Sequence, residues 1–338
     1  MDNYREVLHQ MELFGIALRS KDRSRFPVLN RRTTCGVGGK AWYKLYEFRP
    51  DAGGVYLVGA FGSWRSGKSE KVDVDWAPLS EAERARRKAE HEAARRAEAA
   101  ARAEEARLAA LSAAELWATG SRTGSSAYLK SKQVEGEACR YLPDGSILIP
   151  LLRYDLPRED ALRAVQRIHP GPRKHRRTGE PLPQKVFTSG FAKTGCSVRL
   201  GEISPESRLL LVCEGYATGL SIRMATEKKW PVFVALDAYN LPAVVELLRG
   251  LYPGAFILIC ADDDWKSTDH AGPNPGCRRA RLAAKHTDSC EIVWPVFDAR
   301  TRQLKDTDFN DLHQREGLAV VARQLQRVTS LIVEALSD

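Results

Sequence analysis

Residues 209–221 read LLLVCEGYATGLS, and the reading of this stretch decides the fold. Five apolar residues, Leu209 to Cys213, run into an acid, Glu214; Gly215 follows, and a helical segment opens near Thr218. A short continuous apolar run bounded by a glycine turn and a helix reads as a strand buried on both faces, as in a parallel sheet covered by helices. The pattern recurs. PVFVALD, AFILICADDD and CEIVWP are further short apolar or β-branched runs, and helix-length segments begin near Asn240 and Gly276. From Arg208 onward the β-α alternation predicts a doubly wound, mainly parallel sheet, followed by one amphipathic helix over roughly Leu312–Leu336.

Three acidic sites fall at the predicted strand ends: Glu214, the run Asp262, Asp263 and Asp264, and Asp306, Asp308 and Asp311 within KDTDFNDL. Groups just beyond the carboxyl ends of parallel strands converge on the ligand crevice, so these acids can meet. If strand geometry persists through the Asp run, Asp262 and Asp264 point to the same side. Each site also has a structural alternative, Glu214 as an acid favoured by a helix dipole and the Asp run as a solvated turn. Clustered carboxylates without a cation repel and raise one another's pKa, so together they imply a hard divalent ion, Mg²⁺ or Mn²⁺. Such ions serve phosphate chemistry, where they neutralise charge and activate the attacking oxygen.

In these residues, VCEGYATGLS, CADDD and KDTDFNDL, the chain resembles the TOPRIM domain of primases, topoisomerases and some nucleases, and its plasmid and phage primase branch in particular. The resemblance implies that Glu214 is the TOPRIM glutamate, a general acid/base or metal-linked group, and that Asp262 and Asp264 are the D-x-D metal ligands. It implies that Asp308 and Asp311 are the acids of a D-F-N-D element. Upstream, Leu129–Lys132, SILIPLL, Gln166, Lys185, Phe187 and Gly190 resemble the basic subdomain that precedes TOPRIM in such primases and holds template and nucleotides. Gln166, Arg167, Lys185, Phe187, Lys193, Thr218 and Lys305 are the implied nucleic-acid or nucleotide contacts. Phe187 and Trp64 are candidates for stacking on single-stranded bases, a role that competes with plain packing. FGSWR and the Ala/Arg/Glu helix after it also resemble N-terminal regions of that branch.

The whole chain suits such a reading. It has 338 residues and a formal net charge of +9, so its expected large partner is a polyanion. No stretch approaches the length of a membrane span and the N-terminus lacks an apolar signal core, which favours the cytoplasm. The seven cysteines are widely spaced with no C-x-x-C pair, so no zinc is expected, although related primases often carry an N-terminal zinc ribbon. The expected fold class is a multi-domain α+β protein. A small β-rich domain spans 1–78, a long charged helix or linker 79–120, a basic primase-type subdomain 121–204, the TOPRIM-type Rossmann-like α/β domain 205–312, and a C-terminal helix 313–338. Ser80 and Glu83 read as a capping box and Gly120 as the stop of a helix of about 38 residues, which reads as a solvated spacer or, through its arginines, as a nucleic-acid or partner contact. Residues Arg163–Arg199 are Pro- and Gly-broken, with Glu180 the single acid, and read as a phosphate-contacting surface.

The function expected on these grounds is a DNA primase making short primers on single-stranded DNA from nucleoside triphosphates, working with a replicative helicase on another chain during plasmid, phage or mobile-element replication. Two alternatives stand beside it: a TOPRIM nuclease that keeps the same metal cluster but cleaves phosphodiesters, and a non-catalytic DNA-binding replication accessory protein that uses the basic loop and the long helix. One motif points elsewhere. Gly62–Ser69, GSWRSGKS, satisfies the nucleotide-binding P-loop pattern letter for letter. A P-loop needs a helix opening at its Lys-Ser, whereas Val72, Val74 and Trp76 alternate as in a strand and Pro78 blocks continuation. The match is therefore read as false, a hairpin whose Arg65 and Lys68 can touch nucleic acid.

Overall fold

The computed structural model describes residues 1–50, 53–64, 66–74, 81–204, 207–269 and 272–336. Arg65, Trp76, Pro78 and Ser80, and with Ser80 the expected capping box, lie outside the described residues. The chain divides into two compact units, Met1–Glu98 with Thr268–Gly272, and Ala99–Ser267 with Pro273–Asp338.

The first unit starts with helices α1 (Tyr4–Leu13) and α2 (Ser20–Arg23) and continues as strands β1 (Arg32–Cys35), β2 (Ala41–Phe48), β3 (Tyr56–Ser63) and β4 (Ser69–Lys71). The strands form an antiparallel sheet in the order β1-β2-β3-β4. Along β2 the burial alternates: Ala41, Tyr43 and Leu45 join Val7, Met11 and Phe61 in one core, while Trp42, Lys44 and Tyr46 face the other way. The P-loop-like stretch is the turn of the β3-β4 hairpin. Gly62 pairs with Ser69, and Ser63 N–H donates to the Lys68 carbonyl and Gly67 N–H to that of Ser63, both at 3.0 Å. No helix opens at Ser69, so the backbone N–H groups that would cradle a phosphate are spent on the hairpin. β4 is shorter than the alternation through Val74 suggests. The Gln10 side chain takes the N–H and the carbonyl of Asp73, at 2.9 and 2.7 Å, in place of a ladder.

Helix α3 (Glu81–Thr119) runs for 39 residues of mostly Ala, Glu and Arg. Its last turns are not a solvated spacer, because Ala106, Ala109 and Ala113 are buried and Ala113 packs with Leu148 and Val165. Gly120 ends it, where a Cβ would lie 2.6 Å from that of Arg140.

The second unit continues with α4 (Ala127–Ser131), β5 (Arg140–Tyr141), β6 (Ile147–Leu152), β7 (Leu162–Ile168), β8 (Arg173–Lys174), β9 (Pro181–Leu182) and β10 (Lys185–Phe187). Strands β10-β7-β6-β5 form an antiparallel sheet, and β8 and β9 pair as a small hairpin within the basic stretch. Then come β11 (Val198–Leu200), β12 (Leu209–Cys213), α5 (Tyr216–Ala225), β13 (Val232–Val234), α6 (Leu241–Leu251) and β14 (Phe256–Cys260), and, after the short strands β15 (Thr268–Asp269) and β16 (Gly272–Pro273), of which Thr268–Gly272 is grouped with the first unit, α7 (Pro275–Lys285), β17 (Cys290–Val293), α8 (Phe309–Glu316) and α9 (Leu318–Ala335).

The larger sheet has the order β11-β13-β12-β14-β17, parallel except for β11 at one edge. Both faces are covered, which is why its strands are apolar throughout. Leu209, Leu211, Cys213, Leu258 and Cys260 pack toward Leu220, Leu312 and Leu325, whereas Leu210, Val212, Ile257 and Ile259 pack toward Val244, Leu248 and Ala280. Gly219 permits the close approach of α5, since a Cβ there would meet Val234 Cγ2 at 2.8 Å. The single C-terminal helix expected over Leu312–Leu336 is instead two helices, broken at Gly317 with φ 89° and ψ 158°. No helix among the described residues is long and apolar enough to cross a membrane.

Candidate active site

The parallel sheet delivers Glu214 directly after β12 and Asp262 two residues after β14, so both acids stand at the carboxyl pole. Strand geometry ends at Cys260, yet the Asp run still alternates in direction. Asp264 accepts from the Gly276 N–H at the start of α7, at 3.0 Å. Asp263 turns away to an ion pair with Arg302 at 2.8 Å and a hydrogen bond from Asn274 at 2.7 Å.

Asp308 is the N-cap of α8. Its carboxylate accepts from Asn310 and Asp311 N–H at 2.7 and 2.8 Å, and Asp311 returns the bond to the Asp308 N–H, a complete capping box. Thr218 Oγ1 donates to the second Asp308 oxygen at 2.9 Å and so ties α5 to α8. Asp306, the remaining acid of this segment, is buried in an ion pair with Arg315 at 2.9 Å.

Two carboxylate oxygens are left over. Glu214 Oε1 and Asp262 Oδ1 are buried without a hydrogen-bond partner, a costly state for any polar atom and more so for a charged one. Burial pushes the Glu214 carboxyl up to about 8, with Asp264, Asp237 and Asp308 adding repulsion and a backbone hydrogen bond from Asp262 opposing it. Asp262 is driven well above the ordinary aspartate range by burial first, and then by Glu214, Asp308, Asp264 and Asp311. Asp264 and Asp311 are also raised, chiefly by burial.

The five acids expected as metal ligands are thus near enough to repel, but they do not form a finished cage. Among the described residues no group of three or more His, Cys, Asp or Glu side chains is arranged to hold an ion. The reason is visible in the bonding. Asp308 and Asp311 are engaged in capping α8 and Asp264 in holding the start of α7, which leaves Glu214 and Asp262 with free oxygens. Two orphaned, mutually repelling carboxylates at the mouth of a parallel sheet fit a hard divalent cation.

Of the implied nucleic-acid contacts, Lys185 reaches this cluster: desolvation and Lys132 lower its pKa, while Asp308 and Asp262 pull it back up. The residue as a whole is exposed, but its ammonium lies 5.9 Å from the Tyr128 ring centroid. Lys193 is ion-paired with Asp237, one of the acids that raise Glu214. Others are engaged differently from expectation. Arg167 pairs with Asp144 at 2.5 Å, and Phe187 stacks on Phe191 at 5.6 Å while packing against the Leu151 core. Gln166 is buried within β7, and Lys305 is exposed beside Asp306.

Sequence reasoning placed Lys132 in the basic subdomain but not among the contact residues; its charge offsets part of the rise that burial and Asp308 impose on Asp311. It also missed the buried network in which Asn310 Nδ2 donates to the Lys132 carbonyl and to Ser221 Oγ, at 2.8 and 2.9 Å, with Ser221 bonded in turn to His313 Nδ1. The only signal for it was a polar residue between Phe309 and Leu312 on a helix that must be buried.

Gly276 is the tightest point of the site, because a Cβ there would sit 2.4 Å from the Asp262 carbonyl oxygen. Gly276→Ala is expected to lower stability by about 1–3 kcal/mol in urea unfolding. Gly254→Ala, where a Cβ meets nothing within 4 Å, is expected to stay within about 0.5 kcal/mol.

Residues 209–319 match the Toprim domain family. The chain is 31% identical over 115 residues to the DNA primase TraC of Escherichia coli, a match that covers 33% of this chain and 11% of that primase. Among solved structures it resembles the primase fragment of the bacteriophage T7 primase-helicase protein, at 12% identity and TM-score 0.39 over 60% of this chain and 74% of that one. It also resembles the Aquifex aeolicus primase zinc-binding and RNA polymerase domains, at 13% identity and TM-score 0.39 over 94% and 84%. Residues 209–319 thus match the Toprim domain family, and over 115 residues the chain is similar in sequence to a DNA primase of which it spans about a tenth of the length.

Proposed function

We propose that this protein is a DNA primase that joins nucleotides on a single-stranded DNA template by Mg²⁺-dependent nucleotidyl transfer. The observation that carries the reading is the pair of buried, unpartnered oxygens, Glu214 Oε1 and Asp262 Oδ1, at the carboxyl pole of the Toprim sheet. Glu214 and Asp262 would hold the cation, with Asp264 beside them and Asp308 and Asp311 completing the negative wall. A divalent ion held there would supply neutralisation of phosphate charge and activation of the attacking hydroxyl.

The chain's own residues supply position and charge. Where Glu214 does not bind the ion, its role would be proton transfer instead. Lys132 and Lys185 border the acids and offer cations to the nucleotide phosphates, and Thr218 fixes Asp308. Gln166 and Lys193 would contact the template in the adjoining basic region, Arg167 and Phe187 would shape that region, and Lys305, beside Asp306, would contact nucleotide or nucleic acid. A helicase on a separate chain, a cytoplasmic setting and a role in plasmid, phage or mobile-element replication belong to the same proposal.

The deciding assay is dinucleotide synthesis from nucleoside triphosphates on short single-stranded templates of varied sequence, with Mg²⁺ and with Asp262→Ala as control. Synthesis by the native chain and none by the variant is the expected result. Strong single-strand binding without synthesis would favour an accessory protein, and cleavage of the template a nuclease.

A further inference from the structure

The first unit carries a second surface with its own chemistry. The strands of its sheet pair so that Arg32 lies opposite Lys44, Lys44 opposite Ala60, and Ala60 opposite Lys71, a single row crossing all four strands. The adjacent row on the same face runs Thr34, Trp42, Gly62, Ser69. Residues directly opposite one another share a face, and the core of this unit lies on the other one, with Tyr43, Leu45 and Phe61. The outward face therefore presents three cations beside a row that carries Trp42, and neither row contains an acid. An ordinary solvated sheet face mixes both signs of charge, so a one-sign face with tryptophan in it is selected for something.

The aromatic part is built. Gly62 must be a glycine here, since a Cβ would meet Trp42 Cε2 and Ser69 Cβ at 2.9 Å and the Lys68 carbonyl at 2.7 Å. Trp42 can therefore lie across β3. The Arg32 guanidinium stands 4.4 Å from the Trp42 ring and 5.5 Å from that of Trp64, and the two tryptophans are 5.9 Å apart. Trp64 is 42% exposed at the turn of the β3-β4 hairpin, next to Lys68. Tryptophan rings and a pre-oriented guanidinium plane stack on unpaired bases, and a row of cations tracks a phosphate backbone.

We infer that the outward face of the β1–β4 sheet is a binding site for single-stranded DNA, with Trp64, Trp42 and Arg32 stacking bases and Lys44 and Lys71 contacting phosphates. The choice of DNA over RNA rests on the proposed template, while the site itself rests on the face. The GSWRSGKS hairpin then has a use unrelated to nucleotide hydrolysis, because it carries the exposed stacking ring.

The test uses the full chain and a fluorescent oligothymidylate of about 20 nucleotides, with EDTA and no nucleotides, so that binding is read apart from primer synthesis. Lys44→Glu/Lys71→Glu is expected to weaken binding about tenfold or more and to lower the magnitude of the log–log salt slope by about 1.4, at about 0.7 per phosphate contact. Trp64→Ala is expected to weaken it about fivefold or more, with loss of tryptophan quenching by the oligonucleotide. The milder Lys44→Ala/Lys71→Ala variant, checked for an unchanged thermal melt, guards against misfolding. Affinity within about twofold of native for both the lysine and tryptophan variants would overturn the site. Tighter binding of duplex than of single strand at this face, or of oligouridylate than of oligothymidylate, would overturn the assignment to single-stranded DNA. A chain that fails to prime but loses binding in these variants leaves this inference standing and removes only the polymerase reading.

Discussion

Asp262→Asn is expected to raise the melting temperature of the metal-free protein while lowering Mg²⁺-dependent primer synthesis by about 10²–10³-fold or more. The two effects have one cause. Asp262 is buried with an unpartnered oxygen, and Glu214, Asp308, Asp264 and Asp311 all repel its charge. A neutral amide removes that repulsion and with it a ligand oxygen, and in a chain of this size each kcal/mol recovered is worth about 2–4 °C. Added Mg²⁺ is expected to stabilise the native chain by mass action and to leave Asp262→Asn nearly unmoved. The pH dependence follows the same sign. In the unfolded chain Glu214 ionises at the usual 4.5, but in the folded chain it keeps its proton up to about 8. Below 4.5 both states are protonated and the site costs nothing; between 4.5 and 8 only the unfolded state releases the proton. Metal-free stability should therefore fall as pH rises through that window and level off above it, and Mg²⁺ should restore it. A melting temperature that drops in Asp262→Asn, or a metal-free protein that gains stability toward pH 8, would remove the repulsive cluster from the account.

The strand-acid-glycine-helix stretch was legible because a strand buried on both faces leaves a mark that no surface segment shares, and the acids at its end follow from the geometry of parallel sheets. What each acid bonds to was less legible. The spacing of Asp308 and Asp311 fits a capping box as well as a pair of ligands, and the chain uses it as the former. Arg167 read as a phosphate contact, but β6 and β7 pair so that Leu148 faces it, and Asp144 in the turn before β6 comes within reach of its guanidinium. Nothing local records a partner 23 residues away. The break at Gly317 was hidden because helical periodicity continues from Leu312 to Val321 on both sides of it. Lys132 was legible as part of the basic subdomain but not as a neighbour of the acids, since that placement depends on Asn310, which holds its carbonyl from a distant part of the chain.

That dependence on distant partners makes Arg223 the side chain whose loss should be felt most in stability. Arg223 is 6% exposed within α5 and forms a two-pronged pair with Glu137, Nε to Oε2 at 3.1 Å and Nη2 to Oε1 at 3.0 Å. Its remaining nitrogen donates to the carbonyls of Lys228 and Trp230 at 2.6 and 2.8 Å. Gly201 makes room for the guanidinium, since a Cβ there would come within 2.7 Å of Cζ. The Tyr216 hydroxyl takes the Glu137 backbone as well, so the segment between α4 and β5 is held to α5 from two directions. Arg223→Met leaves a carboxylate and two carbonyls without their donor, and the expected cost is about 3–5 kcal/mol in urea unfolding. Arg223→Lys should recover little, because one ammonium cannot reproduce the planar fork. The double variant Arg223→Met/Glu137→Met should recover part of that loss, since no carboxylate is left unpaired, while the carbonyls of Lys228 and Trp230 still lack their donor. If the pair also positions the segment that carries Lys132, the double variant should fold normally yet show a raised KM for nucleotide with little change in kcat. A single-variant loss below about 1 kcal/mol would mean that Glu137 finds water when Arg223 is gone, and that the segment is held by Tyr216 and packing instead.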